Sequence, residues 1–305
     1  MKTVFGGSAF LPGPMEGVMQ EPFLLAANHL QLIPCWITPF FRLSTALPRR
    51  KLAMAFLAPY LSSGLHTTVQ LMGTDPGLLA EAAELFVQCG AAGIDLNFGC
   101  PSRQVTSGKA GGGALQTPEN MKNILSRIRQ TLPDLPLTAK FRCGWQSPEE
   151  LPVIAEALLG NADALVFHYR TVQEQYRSGI ADREKRFETM MTLAGNMPVY
   201  LNGDMNTPED CRAAMQRFSP AGVMCARGWL RDPGLLKRCA GETDLPPETF
   251  RRLFFREILD CAGSLMPGKA MELSNFFWGR ENPFFEVLKT TRTPITPEWL
   301  HEQNF

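Results

Sequence analysis

Short apolar strand patterns alternate with amphipathic helix patterns through the first 240 residues of this chain. Such alternation indicates βα units, in which a helix follows and covers each strand of a parallel sheet. The predicted strands are 10–15, 33–40, 66–72, 94–98, 137–142, 164–168, 199–202 and 222–226. The predicted helices are 20–31, 49–61, 76–90, 118–131, 149–159, 184–195, 207–218 and 232–239. Eight units favour a closed (β/α)8 TIM barrel of the α/β class over an open doubly wound sheet.

The pattern changes near residue 241. Leu245-Pro246-Pro247 has the composition of a linker, and 248–305 shows helical spacing of large apolar residues such as Phe250, Phe254 and Ile258. We therefore predict a barrel domain at 1–240 and a smaller all-helical domain at 241–305. Periodicity alone leaves open whether these residues form a core or a partner surface.

Composition limits the class of protein. Lys+Arg and Asp+Glu both number 30 in 305 residues, so a polyanion would have to bind a local basic patch. The eight cysteines are scattered without a CxxC pair, which indicates a reducing, cytoplasmic compartment rather than a disulfide framework. The sequence contains no run of 18 apolar residues, which a membrane span would require, and its histidines show no metal-ligand spacing. We expect neither membrane nor metal.

Unusual polar residues follow nearly every predicted strand. In a (β/α)8 barrel this is the end at which chemistry takes place. They are Met15-Glu16, Gln70, Asn97 with Cys100, Lys140 with Arg142, His168 with Arg170, Asn202-Gly203-Asp204 and Ala226-Arg227-Gly228.

Cys100 lies in Asn97-Phe98-Gly99-Cys100-Pro101, directly after the fourth predicted strand. The residue type allows a nucleophile, an acid or a buried core thiol, and the last is the commoner fate of a lone cysteine. An unperturbed thiol, with a pKa of about 8.5, is mostly protonated at neutral pH and can donate a proton. The glycine run Gly111-Gly112-Gly113 downstream is expected to be a flexible loop or a lid.

The loops after strands seven and eight carry a phosphate-binding pattern. Backbone N–H groups at Gly203 and Gly228 can approach a phosphate, and Arg227 adds a positive charge. No G-x-G-x-x-G follows the first strand, so a mononucleotide such as FMN fits better than a dinucleotide. Lys140, inside a strand, needs an anionic partner, whereas His168 could be either a site residue or a satisfied core histidine.

Together these motifs resemble the tRNA-dihydrouridine synthases, flavin enzymes that reduce specific uridines of tRNA with NADPH. The resemblance covers most of the chain. Its main motifs are Gly13-Pro14-Met15-Glu16-Gly17, Val69-Gln70-Leu71-Met72-Gly73, Asp95-Leu96-Asn97-Phe98-Gly99-Cys100-Pro101-Ser102, Lys140-Phe141-Arg142, His168-Tyr169-Arg170-Thr171, Asn202-Gly203-Asp204 and Ala226-Arg227-Gly228. The Pro-Met-Glu-Gly opening and Arg142 to Trp145 look most like the bacterial C-type subgroup, which modifies uridine 16 of the D-loop.

The resemblance implies a role for each matched residue. Cys100 would be the catalytic acid that protonates C5 of the uracil C5=C6 bond, while FMN N5 delivers a hydride to C6. The residues implied in FMN binding are Pro14, Met15, Gln70, Lys140, His168, Asn202, Gly203, Asp204, Ala226, Arg227 and Gly228. Those implied in substrate binding are Asn97, Arg142, Arg170, Tyr176 and Arg177.

The resemblance further implies that the C-terminal helices grip the tRNA body, and we expect a cytoplasmic monomer. Basic residues would flank the mouth of the barrel: Arg42, Arg49, Arg50, Lys51, Arg103, Lys109 and Arg177. Two alternatives remain at this stage. One is an FMN barrel oxidoreductase acting on a free small molecule, as dihydroorotate dehydrogenases do, and the other is a tRNA-binding relative that has lost catalysis.

Overall fold

The computed structural model describes residues 2–303 and confirms the predicted barrel. All strands are parallel, and the ladder order is β1-β9-β8-β7-β6-β5-β4-β2, with β3 also on β4. The strands are β1 (Phe10–Pro12), β2 (Trp36–Ile37), β3 (Phe41–Arg42), β4 (Thr67–Met72), β5 (Gly93–Phe98), β6 (Leu137–Arg142), β7 (Ala164–His168), β8 (Val199–Asn202) and β9 (Gly222–Cys225). Within residues 2–303 no ladder joins β1 to β2, so the barrel is closed except at this seam.

The second predicted strand, 33–40, is wrong in its bounds. The chain instead forms β2 and β3, and both pair with β4, through Trp36↔Thr67 and Phe41↔Leu71. Pro39 lies between them and has no backbone N–H to donate to a ladder, which explains the interruption.

Helices follow the strands and cover the outside of the barrel. They are α1 (Glu21–His29), α2 (Arg50–Leu61), α3 (Pro76–Gln88), α4 (Arg103–Thr106), α5 (Pro118–Thr131), α6 (Leu151–Leu158), α7 (Arg183–Ala194), α8 (Pro208–Phe218), α9 (Arg227–Arg231) and α10 (Leu235–Cys239). The predicted helix 232–239 begins later than expected, at Leu235 of α10, because a turn at Pro233 and Gly234 separates α10 from α9. At the start of α8, Thr207 and Asp210 form a reciprocal capping box.

The barrel interior is divided into an apolar and a polar side. Gln70, Asp95 and Thr138 are direct cross-strand partners on β4, β5 and β6, so their side chains share one face of the sheet. The opposite side is a separate buried apolar cluster that includes Val166 and Met224. The buried carboxylate and its hydrogen-bond partners thus lie on the β4 to β6 side of the interior.

Four helices follow the barrel and confirm the all-helical C-terminal region. They are α11 (Pro247–Ala262), α12 (Pro267–Phe277), α13 (Pro283–Thr290) and α14 (Pro297–Glu302). Each begins with proline, whose fixed φ and missing N–H suit the first helical position. The predicted division of the chain at residue 240 stays a prediction.

The C-terminal helices pack directly on the barrel helices. The ring of Phe23 on α1 lies 4.8 Å from that of Phe254 on α11 and 5.6 Å from that of Trp229 on α9. His29 Nδ1 and Glu257 Oε1 form a hydrogen bond of 2.7 Å between α1 and α11. Phe254 is part of the same hydrophobic core as the barrel helices, so removal of α11 would expose barrel core.

Candidate active site

A cavity of about 550 Å³ opens at the carboxyl ends of the strands, within the size range of ordinary ligand sites. It brings together most of the residues singled out from the sequence: Pro14, Met15, Gln70, Asn97, Cys100, Lys140, Arg142, His168, Tyr176, Asn202, Gly203, Asp204, Ala226 and Arg227. Three others, Arg170, Arg177 and Gly228, lie outside its lining.

The loop that carries Cys100 is held by side chains of the neighbouring strands. The backbone N–H groups of Gly99 and Cys100 donate to Asn97 Oδ1, at 3.1 and 2.9 Å. The Gly99 carbonyl accepts from Arg142 Nε at 2.7 Å. Cys100 is half-buried and lines the cavity, so its thiol is accessible from a held loop.

The glycine run after Cys100 is neither a flexible loop nor a lid, which corrects our expectation. Gly111–Gln116 forms a short 3-10 helix whose glycines are buried. A Cβ at Gly112 would lie 2.6 Å from Val172 Cγ2 and 2.9 Å from the Cys100 carbonyl oxygen. Gly112 N also donates to that carbonyl at 2.9 Å. Glycine therefore permits this segment to support the Cys100 loop from behind.

Phe98 points away from the cavity. It is 2% exposed and packs in the core between the barrel and its helices, beside its cross-strand partner Phe141. Strand alternation explains the placement, because Asn97 faces the interior and its neighbour must face outward. The bulk of Phe98 is therefore structural.

Asp95 is a buried carboxylate that sequence reasoning did not select. It is 1% exposed and accepts from Gln70 Nε2 at 2.7 Å and from Thr138 Oγ1 at 2.6 Å. Burial raises its pKa to about 6, against the opposing effects of these hydrogen bonds and of Lys140. The available signal was an acidic residue between the apolar Ile94 and Leu96 of a predicted strand.

Two cations lie on β6. Lys140 Nζ donates to Asn202 Oδ1 at 3.1 Å, and burial, assisted by the positive charge of Arg142, lowers the Lys140 pKa to about 8. Arg142 Nη1 donates to the carbonyls of Thr171 and Gln175, at 3.0 and 2.8 Å, so this guanidinium ties the Cys100 loop to the loop after β7. Burial lowers the Arg142 pKa to about 10, which leaves it charged at neutral pH.

His168 closes β7 in a strongly positive environment. Burial, followed by the charges of Arg142 and Lys140, lowers its pKa well below the ordinary value, so the imidazole is neutral. Its Nδ1 is buried and has no hydrogen-bond partner within the described residues. Because His168 lines the cavity and buried polar atoms are almost always paired, this nitrogen is suited to pair with a polar atom of a ligand bound there.

The loop after β8 is fixed by a buried arginine. Gly203 has a φ of +110°, and a Cβ there would lie 2.7 Å from the Tyr169 ring, so glycine is required. Asp204 Oδ2 accepts from Arg170 Nη2 at 2.6 Å, and its Oδ1 from Arg227 Nη2 at 3.0 Å. Burial alone would raise the Asp204 pKa, but hydrogen bonds from Arg170 and Tyr169 outweigh it and lower that pKa.

Arg170 lies behind the cavity wall and not in its lining. It is 1% exposed, and besides Asp204 it donates from Nε to the Arg177 carbonyl at 2.7 Å. Arg177 itself is exposed, and Gly228 is buried at the start of α9, where a Cβ would meet the Met205 carbonyl. These residues shape the cavity from outside.

The mouth of the cavity carries an exposed aromatic ring with two cations near it. Tyr176 is 58% exposed, and its ring centroid lies 5.3 Å from Arg142 Cζ and 5.5 Å from Arg227 Cζ. Leu230 of α9 and Phe276 of α12 also line the cavity, so the C-terminal helices contribute to the site. Sequence reasoning missed Phe276, because helical spacing does not tell which apolar face meets the barrel.

Two further features of the described residues concern the expectation that the protein has neither a membrane span nor a metal site. No helix within 2–303 combines the length and apolar character that a bilayer crossing requires. His29, Glu257 and Cys261, between α1 and α11, bring three possible metal-ligand atoms within 4.8 Å of one another. None of the three lines the cavity.

Two solved structures align with this chain at low sequence identity and show the fold alone. A complex titled 2-naphthoyl-CoA reductase with 2-naphthoyl-CoA aligns with a TM-score of 0.58 at 13% identity, covering 77% of this chain and 50% of that one. A mutant of morphinone reductase in complex with tetrahydroNAD aligns with a TM-score of 0.55 at 9% identity, covering 80% of this chain and 90% of that one.

Sequence comparisons identify the family. The family model described as dihydrouridine synthase (Dus) matches residues 11–260. The chain is 33% identical over 232 residues to the tRNA-dihydrouridine(16) synthase of Vibrio vulnificus, covering 73% of this chain and 72% of that protein. It is 34% identical over 238 residues to the same-named protein of Haemophilus ducreyi, with 73% and 70% covered. This chain is therefore a member of the dihydrouridine synthase family, whose enzymes are oxidoreductases.

Proposed function

We propose that this chain is an FMN-dependent tRNA-dihydrouridine synthase, which reduces the C5=C6 bond of a D-loop uridine with NADPH as reductant. Uridine 16 is the position in the names of the Vibrio and Haemophilus relatives. The observation that carries the proposal is the convergence of Cys100, Asn97 and Lys140 on one cavity at the strand ends. A thiol, an amide and an ammonium together suit proton delivery to a uracil that is held beside a reductant.

The cavity residues fit a flavin mononucleotide. The unpaired buried Nδ1 of His168 calls for a polar ligand atom, and Lys140 provides a cation for an anionic group. Gly203, which also lines the cavity, lets the chain after β8 pack closely against the rings of His168 and Tyr169. We assign phosphate binding to Arg227, which pairs with Asp204 and lines the cavity, together with backbone N–H groups around Ala226.

The residues of this chain supply the proton and the orientation. A reduced flavin, when bound, provides the hydride that uracil C6 receives. Cys100 donates the thiol proton to C5, and the hydrogen bonds of Asn97 to the Cys100 loop keep that thiol directed into the cavity. Lys140 stabilises negative charge at the cavity wall, and the neutral His168 contributes a hydrogen bond without adding another positive charge.

The substrate uridine is gripped at the cavity mouth. One Asn97 Nδ2–H is committed to Gln70, and the amide's second N–H remains to donate to a uracil carbonyl. Tyr176 offers an exposed ring on which an extruded base can stack, since a base in a folded loop must leave its stack to react. Arg142 and Arg177 bind the nucleotide next to the target uridine. Arg170 contributes indirectly, through its hydrogen bonds to the Arg177 carbonyl and to Asp204.

A path for the tRNA backbone continues from the cavity. A second cleft of about 510 Å³ shares Arg227, Leu230 and Phe276 with the first. Arg231 of α9 and Arg251 of α11 also line it, so barrel and C-terminal helices both supply positive charge. On another side of the Cys100 loop, exposed Arg42 donates from Nη2 to the Gln104 carbonyl, beside Arg103 and Lys109. Local basic patches thus compensate for the zero net charge.

The test is direct. Purified protein is incubated with unmodified tRNA transcript and NADPH, and dihydrouridine is mapped by mass spectrometry of nuclease fragments. We expect a yellow protein, NADPH oxidation that depends on tRNA, and one modified D-loop position. NADPH oxidation with free small molecules but not with tRNA would instead support the small-molecule reductase, and a colourless, inert protein would support the inactive tRNA-binding relative.

A further inference from the structure

A continuous chain of side-chain hydrogen bonds runs from the buried interior of the barrel to the Cys100 loop. Thr138 Oγ1 and Gln70 Nε2 donate to the two oxygens of Asp95, at 2.6 and 2.7 Å. Asn97 Nδ2 donates to Gln70 Oε1 at 2.8 Å. The Cys100 backbone N–H then donates to Asn97 Oδ1 at 2.9 Å. The chain ends at the proposed proton donor.

All hydrogen bonds of this chain point the same way, toward Asp95. An ionised carboxylate is an acceptor only, so it requires Gln70 to present its NH2 group and leaves Oε1 facing Asn97. Asn97 must then present its own NH2 group to Gln70, and its Oδ1 to the loop. Flipping either amide would place two acceptors, or two donors, face to face.

Asp95 does not itself line the cavity, whereas Gln70 and Asn97 both do. Its environment is nearly dry, with Asp95, Gln70 and Thr138 each 1% exposed. A hydrogen bond to a charged acceptor in such surroundings is roughly twice as strong as a neutral one. The carboxylate can therefore fix Gln70 and Asn97, which face the substrate, although Asp95 itself does not touch the substrate.

We propose that Asp95 is a positioning residue for the active site: through Gln70 and Asn97 it fixes the amide orientations at the cavity floor and holds the Cys100 loop. The inference rests on the proposed function for its catalytic meaning, because Cys100 matters as a proton donor only in that reaction. Asp95 itself neither donates nor accepts the reacting proton.

The charged groups around Asp95 allow its ionised form at neutral pH. β6 contributes Lys140, whose positive charge favours the carboxylate, as well as the neutral Thr138, and β4 contributes the neutral Gln70. Because burial raises the Asp95 pKa to about 6, the carboxylate takes up a proton as the pH falls through that value. A protonated Asp95 is also a donor, and it no longer dictates one orientation of Gln70.

The experiment measures amide hydrogen exchange in the holoprotein and compares Asp95→Leu and Asp95→Asn with the wild type. Asp95→Leu removes the acceptor, and Asp95→Asn keeps an acceptor but removes the charge. We expect protection of a peptide containing Gly99 and Cys100 to fall by roughly tenfold in Asp95→Leu and by about threefold in Asp95→Asn. Turnover should fall in the same order, while KM for tRNA stays within about twofold.

Thr138→Val is the matched control, since it removes the other hydrogen bond to Asp95 and leaves the carboxylate for Gln70. Its Cys100 loop should exchange as in the wild type. Equal loop opening in Thr138→Val and Asp95→Leu would overturn the proposal, because general loosening of the interior would then explain both. Wild-type protection in Asp95→Leu would overturn it as well.

A second measurement does not depend on the folding of any variant. In the wild type, loop protection relative to a β7 peptide, corrected for intrinsic exchange, should fall as the pH decreases from about 7.5 to about 5, across the Asp95 pKa of about 6. A ratio of loop protection to β7 protection that does not change with pH would contradict the proposal. Absence of dihydrouridine formation by the wild type would refute the proposed function alone, because the exchange data still report whether Asp95 holds the loop.

Discussion

The contact between Gly112 and the Cys100 loop gives a sharp mutational test of the site. In Gly112→Ala, the new Cβ would lie 2.6 Å from Val172 Cγ2 and 2.9 Å from the Cys100 carbonyl oxygen. Ordinary contact begins at 3.4 Å, so Val172 must move by about 0.8 Å and the carbonyl by about 0.5 Å. The carbonyl cannot retreat easily, because Gly112 N donates to it at 2.9 Å.

These displacements set the expected magnitudes. Overpacking costs about 1–3 kcal/mol, and the lower chain entropy of unfolded alanine offsets about 0.4–1 kcal/mol of it. We therefore expect a net loss of about 1–2 kcal/mol, visible as a Tm lower by about 2–4 °C in calorimetry. Turnover on tRNA should fall by about 10- to 100-fold, because the Cys100 loop shifts, while FMN stays bound.

Gly108→Ala is the matched control in the same loop. A Cβ there meets nothing closer than the Val105 carbonyl, at 3.7 Å, and the position is exposed. Its Tm and turnover should match those of the wild type within about 0.5 kcal/mol of stability. Wild-type turnover and Tm in Gly112→Ala would refute the view that the glycine run supports the Cys100 loop.

Three further predictions concern the charged groups. Arg170→Met should lower stability by about 2–3 kcal/mol and weaken FMN binding, because it leaves the partly buried Asp204 with Arg227 as its remaining ion-pair partner; an unchanged Tm with only a raised KM for tRNA would instead indicate direct substrate contact. FMN affinity of the apoprotein, measured by fluorescence titration, should weaken up to about tenfold as the pH rises past the Lys140 pKa of about 8, because Lys140 loses its positive charge above that value. Lys140→Met should abolish this pH dependence, and identical pH profiles of FMN affinity in the variant and the wild type would count against the assignment. Arg227→Ala should weaken FMN binding about fivefold through the phosphate, whereas Arg212→Ala, on the exposed face of α8, should not; equal retention of FMN in both variants would remove Arg227 from that role.

Local sequence signals were sufficient to predict the bounds of several strands and helices. β6, β7 and β8 begin and end at the predicted residues, and α5 does too, with Pro118 at its start. The recurrence of polar residues after these strands also predicted which side chains would meet in one cavity, since parallel strand ends converge.

Features that depend on long-range packing could not be predicted in this way. The glycine run is buried because Cys100 and Val172 approach it, and neither contact is local in sequence. Arg170 lies two residues after His168, the last residue of β7, yet the chain has left the strand there and the guanidinium turns to Asp204 behind the wall. Phe276 reaches the cavity only because α12 docks on the barrel.

The central claim is that Cys100 donates the proton to uracil C5, and a single-turnover measurement tests it most directly. Enzyme-bound flavin is reduced anaerobically with NADPH and then mixed with unmodified tRNA, while flavin absorbance and dihydrouridine are followed together. For Cys100→Ala we expect normal flavin content and normal reduction by NADPH, with reoxidation by tRNA slowed by about 10²- to 10⁴-fold. Reoxidation and dihydrouridine formation at the wild-type rate would contradict the claim.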